Sequence, residues 1–143
     1  SSSKIIEFSM FEEVLDQITK GVAHIGMVPG FWDNLDGRCW DKFVEVSEEN
    51  GLKVISLVPM IKRQGATKSL VMIAKQKAEE TGDDSSLFAI KGEIGEAYND
   101  VIDLGPDCNW KLAVVDGYTE SLKVPEGTAC LHIGNFANLI SAS

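Results

Sequence analysis

The segment from Phe31 to Gly51 constrains this chain more than any other part of it. Trp32, Leu35, Cys39, Phe43 and Val46 recur at intervals of three and four, the spacing that lines one face of an α-helix. Asp33, Asp36, Asp41, Glu45, Glu48 and Glu49 take the remaining positions and give the helix an acidic outer surface. Asp33 can cap its start, and Asn50-Gly51 supplies the left-handed residue that ends many helices. Gly37 is a weak point inside it, worth about 1 kcal/mol against Ala.

β-prone runs flank this helix. Lys4 to Phe8 reads as a short strand, Met10 to Lys20 as an amphipathic helix closed by Gly21, and Val22 to Val28 as a strand ended by Pro29-Gly30. Leu52 to Val58 is the next strand. Thr67 to Thr81 then carries Leu70, Ile73, Ala74 and Ala78 at helical spacing with Gly82 as a stop, so a helix is expected there. Ser86 to Ile90 reads as a strand, and Ala97 to Leu104 as irregular sequence or a short helix. Trp110 to Val115, Ser121 to Val124 and Ala129 to Ile133 are strand candidates.

The order β-α-β-α-β-α-β followed by β-rich sequence predicts an α+β or α/β fold: one mixed sheet, about three helices packed on it and a β-rich C-terminal part. A length of 143 residues fits one domain, taken as 4–143, with Ser1 to Ser3 read as a tag remnant or disordered end.

Composition narrows the partners. A net charge of -9 argues against duplex DNA or an anionic membrane, both of which need clustered Lys and Arg, and favours a cationic ligand or a basic protein. Homo-oligomerisation stays open. Cys39, Cys108 and Cys130 lack the spacing of a disulfide framework or a zinc site, and no apolar run reaches the roughly 20 residues of a membrane span. The cytoplasm is therefore the expected compartment, with no metal or cofactor.

Four groups of residues are candidates for function. In Lys62-Arg63-Gln64-Gly65-Ala66-Thr67-Lys68-Ser69, the cations Lys62, Arg63 and Lys68 crowd the start of an expected helix together with Ser69, where a bound anion would relieve an unfavourable dipole. A solvated basic loop is the competing reading, because the Walker A spacing is absent. His24 and His132, each in His-Ile-Gly, could share a metal or act as acid and base, but no third ligand or nucleophile accompanies them. Glu93, Glu96, Tyr98, Asp100 and Asp103 form a carboxylate-rich run suited to a cation or to proton transfer. Finally, Trp32 and Trp40 beside Asp33, Asp36 and Asp41 suit an organic cation. Trp32 belongs to the inward stripe, whereas Trp40 sits at its edge and is harder to assign to the core.

Two stretches carry a family resemblance. Val22-Ala23-His24-Ile25, Gly30-Phe31-Trp32, Trp40 and Glu49-Asn50-Gly51-Leu52, with a second set at Val124 to Gly127 and Gly134 to Phe136, resemble the GyrI-like effector-binding family. That resemblance implies two related α+β halves around an aromatic and acidic pocket for hydrophobic or cationic small molecules. Phe31 to Asp36 with Trp40-Asp41 also resembles the acidic helix of the barstar-like ribonuclease inhibitors.

The leading expectation is a non-catalytic small-molecule-binding domain using Trp32, Trp40 and Asp36, with Glu93, Glu96 or Tyr98 opposite. An enzyme acting on an anionic metabolite held by Lys62, Arg63, Lys68 and Ser69 is the second. An acidic inhibitor of a basic partner is the third.

Overall fold

A computed structural model describes residues 8–29, 38–59, 69–94 and 100–138. The chain runs α1 (Phe8–Thr19), β1 (Ile25–Pro29), α2 (Arg38–Asn50), β2 (Lys53–Pro59), β3 (Ser69–Ala74), β4 (Asp84–Lys91), β5 (Asp100–Asp103), β6 (Lys111–Asp116) and β7 (Ala129–Ala137). The strands form one mixed sheet in the order β1-β3-β2-β7-β4-β6-β5, antiparallel throughout except where β2 meets β7.

Both helices end as their sequences dictate. Gly21 (φ 79°) and Gly51 (φ 68°) adopt the left-handed conformation just past the last turn. The Val22 N–H then reaches back to the Gln17 carbonyl at 3.0 Å, and Leu52 N–H to Ser47 at 2.9 Å, closing each helix with the six-to-one bond of a Schellman motif.

The helices cover one face of the sheet. Phe11, Leu15 and Ile18 of α1 and Cys39, Trp40, Phe43 and Val44 of α2 pack with Val28, Val54, Val71, Ile73, Leu87, Ala89, Leu112, Ile133 and Phe136 in one core. Full burial of side chains such as Phe43 contributes about 1.5–3 kcal/mol each. Gly26 lets α1 approach β1: a Cβ there would lie 2.3 Å from Val14 Cγ1 and 2.7 Å from Ile18 Cδ1.

Two expectations are corrected. The segment expected as a third helix holds strand β3, and residues 75–83 are not helical, so the described residues contain two helices. Ser69-Leu70-Val71-Met72-Ile73-Ala74 is a short apolar run that pairs with β1 on one side and β2 on the other, and this double pairing overrides the helix-forming residues after it. The possible helix across 97–104 instead contains edge strand β5, while Ser121 to Val124 forms no strand. The expected strand at Lys4 lies outside the described residues, apart from Phe8, which opens α1.

Candidate functional site

Of the expected aromatic site, Trp40 and Asp41 lie among the described residues. Trp40 is 1% exposed. Its ring packs edge-on against Phe11 of α1 at 5.2 Å and against Phe43 at 5.3 Å, so it joins the two helices and presents no face to a ligand. Asp41 is likewise structural. Its Oδ1 accepts the backbone N–H groups of Asn109 and Trp110, each at 2.9 Å, and anchors the β5–β6 loop to the first turn of α2. Trp32, Asp33 and Asp36 lie outside the described residues, as do Lys62, Arg63, Lys68, Glu96 and Tyr98. Ser69 is the first residue of β3, paired with Pro59.

The remaining carboxylates are dispersed. Glu93 is exposed in the loop after β4, where its carbonyl accepts the Thr128 hydroxyl at 2.9 Å. Asp100 and Asp103 occupy the ends of β5, and Asp103 Oδ1 accepts the Gly105 N–H. His24 precedes β1 while His132 lies in β7, and β3 and β2 separate those strands. At the usual strand spacing that is about 14 Å, too far for one metal ion. Among the described residues no group of three His, Cys, Asp or Glu side chains converges on a common point.

Two features take their place. The first is a groove of about 410 Å³ between α1 and α2, lined by Glu12, Leu15, Asp16 and Thr19 from one helix and Lys42, Val46 and Asn50 from the other. Leu15 and Val46 supply its apolar floor, and the charged side chains form its rim. Asp16 also pairs with Lys20 at 2.8 Å, one turn along α1, while Glu12 and Lys42 face each other's helices across the groove.

The second lies on the opposite face of the sheet. The register of β4 puts Leu87 and Ala89 toward the helices and Ser86 and Phe88 away from them, opposite Asn135 and His132 of β7. Residues three apart in a regular strand point to opposite faces. Here a β-bulge at Ile133 inserts one residue between the Leu87–Gly134 and Phe88–His132 pairs and brings both polar side chains to one side.

The network built on them is saturated. Asn135 Nδ2 donates to Ser86 Oγ at 2.8 Å and to the Thr119 carbonyl at 3.1 Å, leaving Oδ1 toward His132 Nε2 at 2.8 Å. Ser86 Oγ donates to the Gly117 carbonyl at 2.6 Å and accepts the Thr119 N–H at 2.9 Å. Because Thr119 O can only accept, the Asn135 amide has one workable orientation, and His132 must carry its proton on Nε2. Its Nδ1 lone pair then faces Lys53 Nζ at 3.3 Å, and the same ammonium donates to the His132 carbonyl at 2.5 Å.

The surroundings tune both groups. Burial lowers the Lys53 pKa from its ordinary value, with Glu120 and Glu48 opposing and Lys77 reinforcing the shift. Burial also lowers that of His132, aided by the Lys53 charge and opposed by Asn135, Glu120 and the backbone at Gly134. Glu120, on the segment that crosses from β6 to β7, pairs with Lys77 of the β3–β4 connection at 3.0 Å, and both side chains are exposed. Tyr118 fixes that segment by donating its hydroxyl to the Ala78 carbonyl at 2.6 Å.

Sequence reasoning singled out His132 but not Lys53, Ser86, Thr119 or Asn135. The available signal was Gly134 within a β-prone run, where a lone glycine marks a bulge or a close backbone approach.

Comparison with protein-family models, with curated proteins and with solved structures found no match for this chain. Among the described residues no helix is long and apolar enough to cross a membrane.

Proposed function

We propose that this chain is a small-molecule-binding domain without catalysis, whose ligand is a hydrophobic organic cation held between α1 and α2. The groove carries the reading: its volume of about 410 Å³ suits a small organic molecule, with Leu15 and Val46 below and Glu12 and Asp16 at the rim. The apolar part of the ligand would cover the floor, and its cationic end would meet the carboxylates.

The net charge of -9 adds a long-range attraction for such a ligand. Trp40 has the role of a reporter here, because it packs between the same two helices without lining the groove.

Titration with benzyltrimethylammonium, followed by calorimetry and by tryptophan emission, tests the reading. Saturable heat is expected, with weaker binding in the Glu12→Gln and Asp16→Asn double variant and none in Val46→Arg, which fills the groove. A featureless titration of the wild-type chain, or one that Val46→Arg leaves intact, would overturn it.

A further inference from the structure

We infer that β1 is a two-fold interface, through which two copies of this chain pair edge to edge, β1 antiparallel to β1, so that their sheets become one. β1 ends the described sheet on one side and pairs with β3 over all of its residues without a shift in register. Its other edge presents the outward N–H and C=O groups of a regular strand, the usual template for a further strand.

The side chains along that edge are those of an interface. Val28 faces the core and Gly26 lies under α1, so the alternation of the strand turns Ile25 and Met27 to the opposite face. Val22, Ile25 and Met27 are 70%, 45% and 37% exposed, and Val101 is the one other large apolar side chain so exposed among the described residues. Val101 belongs to β5 on the far edge of the sheet, between Asp100 and Asp103, whose charges repel a second strand. β1 contains no charged residue.

Two features fit the edge to a second copy of the chain. Antiparallel pairing about Met27 sets this residue opposite its own counterpart, Gly26 opposite Val28 and Ile25 opposite Pro29, so the apolar stripe runs unbroken across the seam. The same two-fold brings the two α1 helices flank to flank on one face of the joined sheet. Glu12 and Asp16 line the groove beside α2; at about 3.6 residues per turn, Val14 and Gln17 fall on the flank turned away from it. Two chains of net charge -9 repel each other, so their pairing needs a surface from which charge is absent, and this flank with β1 supplies one.

Sedimentation equilibrium of the intact chain, from micromolar to sub-millimolar concentration, provides the test. The mass should rise to twice that of the chain. Met27→Lys and Ile25→Lys, which place ammonium groups along the seam, should each hold it at the single-chain mass with an unchanged far-UV spectrum. On oxidation Met27→Cys should cross-link into a disulfide dimer and Ile25→Cys should not, because only residue 27 meets its own counterpart at bonding distance.

A single-chain mass throughout the range would overturn the inference; slow or fast amide exchange in β1 would then tell whether a segment of the same chain or a foreign strand takes the edge. Association that both lysine variants leave intact would overturn it too, and so would equal cross-linking of the two cysteine variants. None of these results bears on the groove, which lies on the other flank of α1.

Discussion

His132 and Asn135 sit three residues apart in one β-strand and yet hydrogen-bond to each other, Nε2 to Oδ1 at 2.8 Å, on the same face of the sheet. The bulge at Ile133 makes this possible, and the bond sets the histidine tautomer on which the contact with Lys53 depends. The pair thus links a local irregularity of the backbone to a buried polar network on the sheet face opposite the helices.

Removing Asn135 should be costly in both stability and geometry. Asn135 is 1% exposed, and Asn135→Ala takes the side-chain donor from the Thr119 carbonyl, one of the two donors from Ser86 Oγ and the acceptor from His132 Nε2. A loss of about 2–3 kcal/mol is expected from buried groups left unsatisfied. Urea denaturation measures it, and nitrogen NMR of the His132 ring should show the single Nε2–H tautomer of the wild type becoming a mixture.

Stability should fall with mild acid. The folded-state pKa of His132 lies below its ordinary 6.5, so the unfolded chain binds the proton more readily. The stability that neutral His132 supports is therefore complete above 6.5 and is lost as pH falls from there toward the folded-state value. Lys53 acts in the same sense over a higher window, where stability rises with pH up to its ordinary 10.5. Denaturation at about pH 7.5 and about pH 5 should show the decline, and His132→Gln, which lacks a titrating ring, should flatten it.

The buried carboxylate of α2 offers a cleaner contrast. Asp41→Ala removes the acceptor for two backbone N–H groups and should cost about 2–3 kcal/mol, with the β5–β6 loop released. Asp41→Asn keeps an oxygen in the same place and should recover more than half of that loss. Equal destabilisation of the two variants would mean that the charge, rather than the acceptor geometry, holds the loop; hydrogen exchange at Asn109 and Trp110 distinguishes them.

The core of the fold was legible where a segment obeys one period and packs on one side. The stripe Cys39, Phe43 and Val46 in α2 and the apolar positions Phe11, Leu15 and Ile18 in α1 are of this kind, and Gly21 and Gly51 end both helices as expected. Leu70, Ile73 and Ala74 misled because a short apolar run satisfies helical and strand templates together, and only the pairing partners β1 and β2 decide between them. Trp40 misled for a different reason: its neighbour across the interface, Phe11, comes from another helix, and no pattern within α2 records that contact. The Lys53–His132 contact spans 79 residues and depends on a bulge, so it was beyond any local pattern.

Gly134 gives the sharpest test of the architecture that positions this site. It is the residue of β7 that pairs with Val54 where β2 and β7 run parallel, and it is the residue next to the bulge. A Cβ at Gly134 would lie 2.4 Å from the Val54 carbonyl oxygen, 2.5 Å from its Cβ and 2.8 Å from its nitrogen. Two of these atoms are backbone, so the clash cannot be relieved by a side-chain rotation, and the strands themselves must separate. Gly134→Ala should therefore cost about 3 kcal/mol, at the upper end of the range for overpacking. The comparison is Gly26→Ala, where the obstructing atoms are the side-chain ends of Val14 and Ile18. That variant should lose about half as much, and Val14→Ala should rescue part of it by opening the space. Because β2 carries Lys53 and β7 carries His132, separating the strands at Gly134 should also break the Nζ to carbonyl hydrogen bond, read as a change in the ring-nitrogen NMR shifts of His132. Gly26→Ala, on the far side of β3, should leave those shifts unchanged.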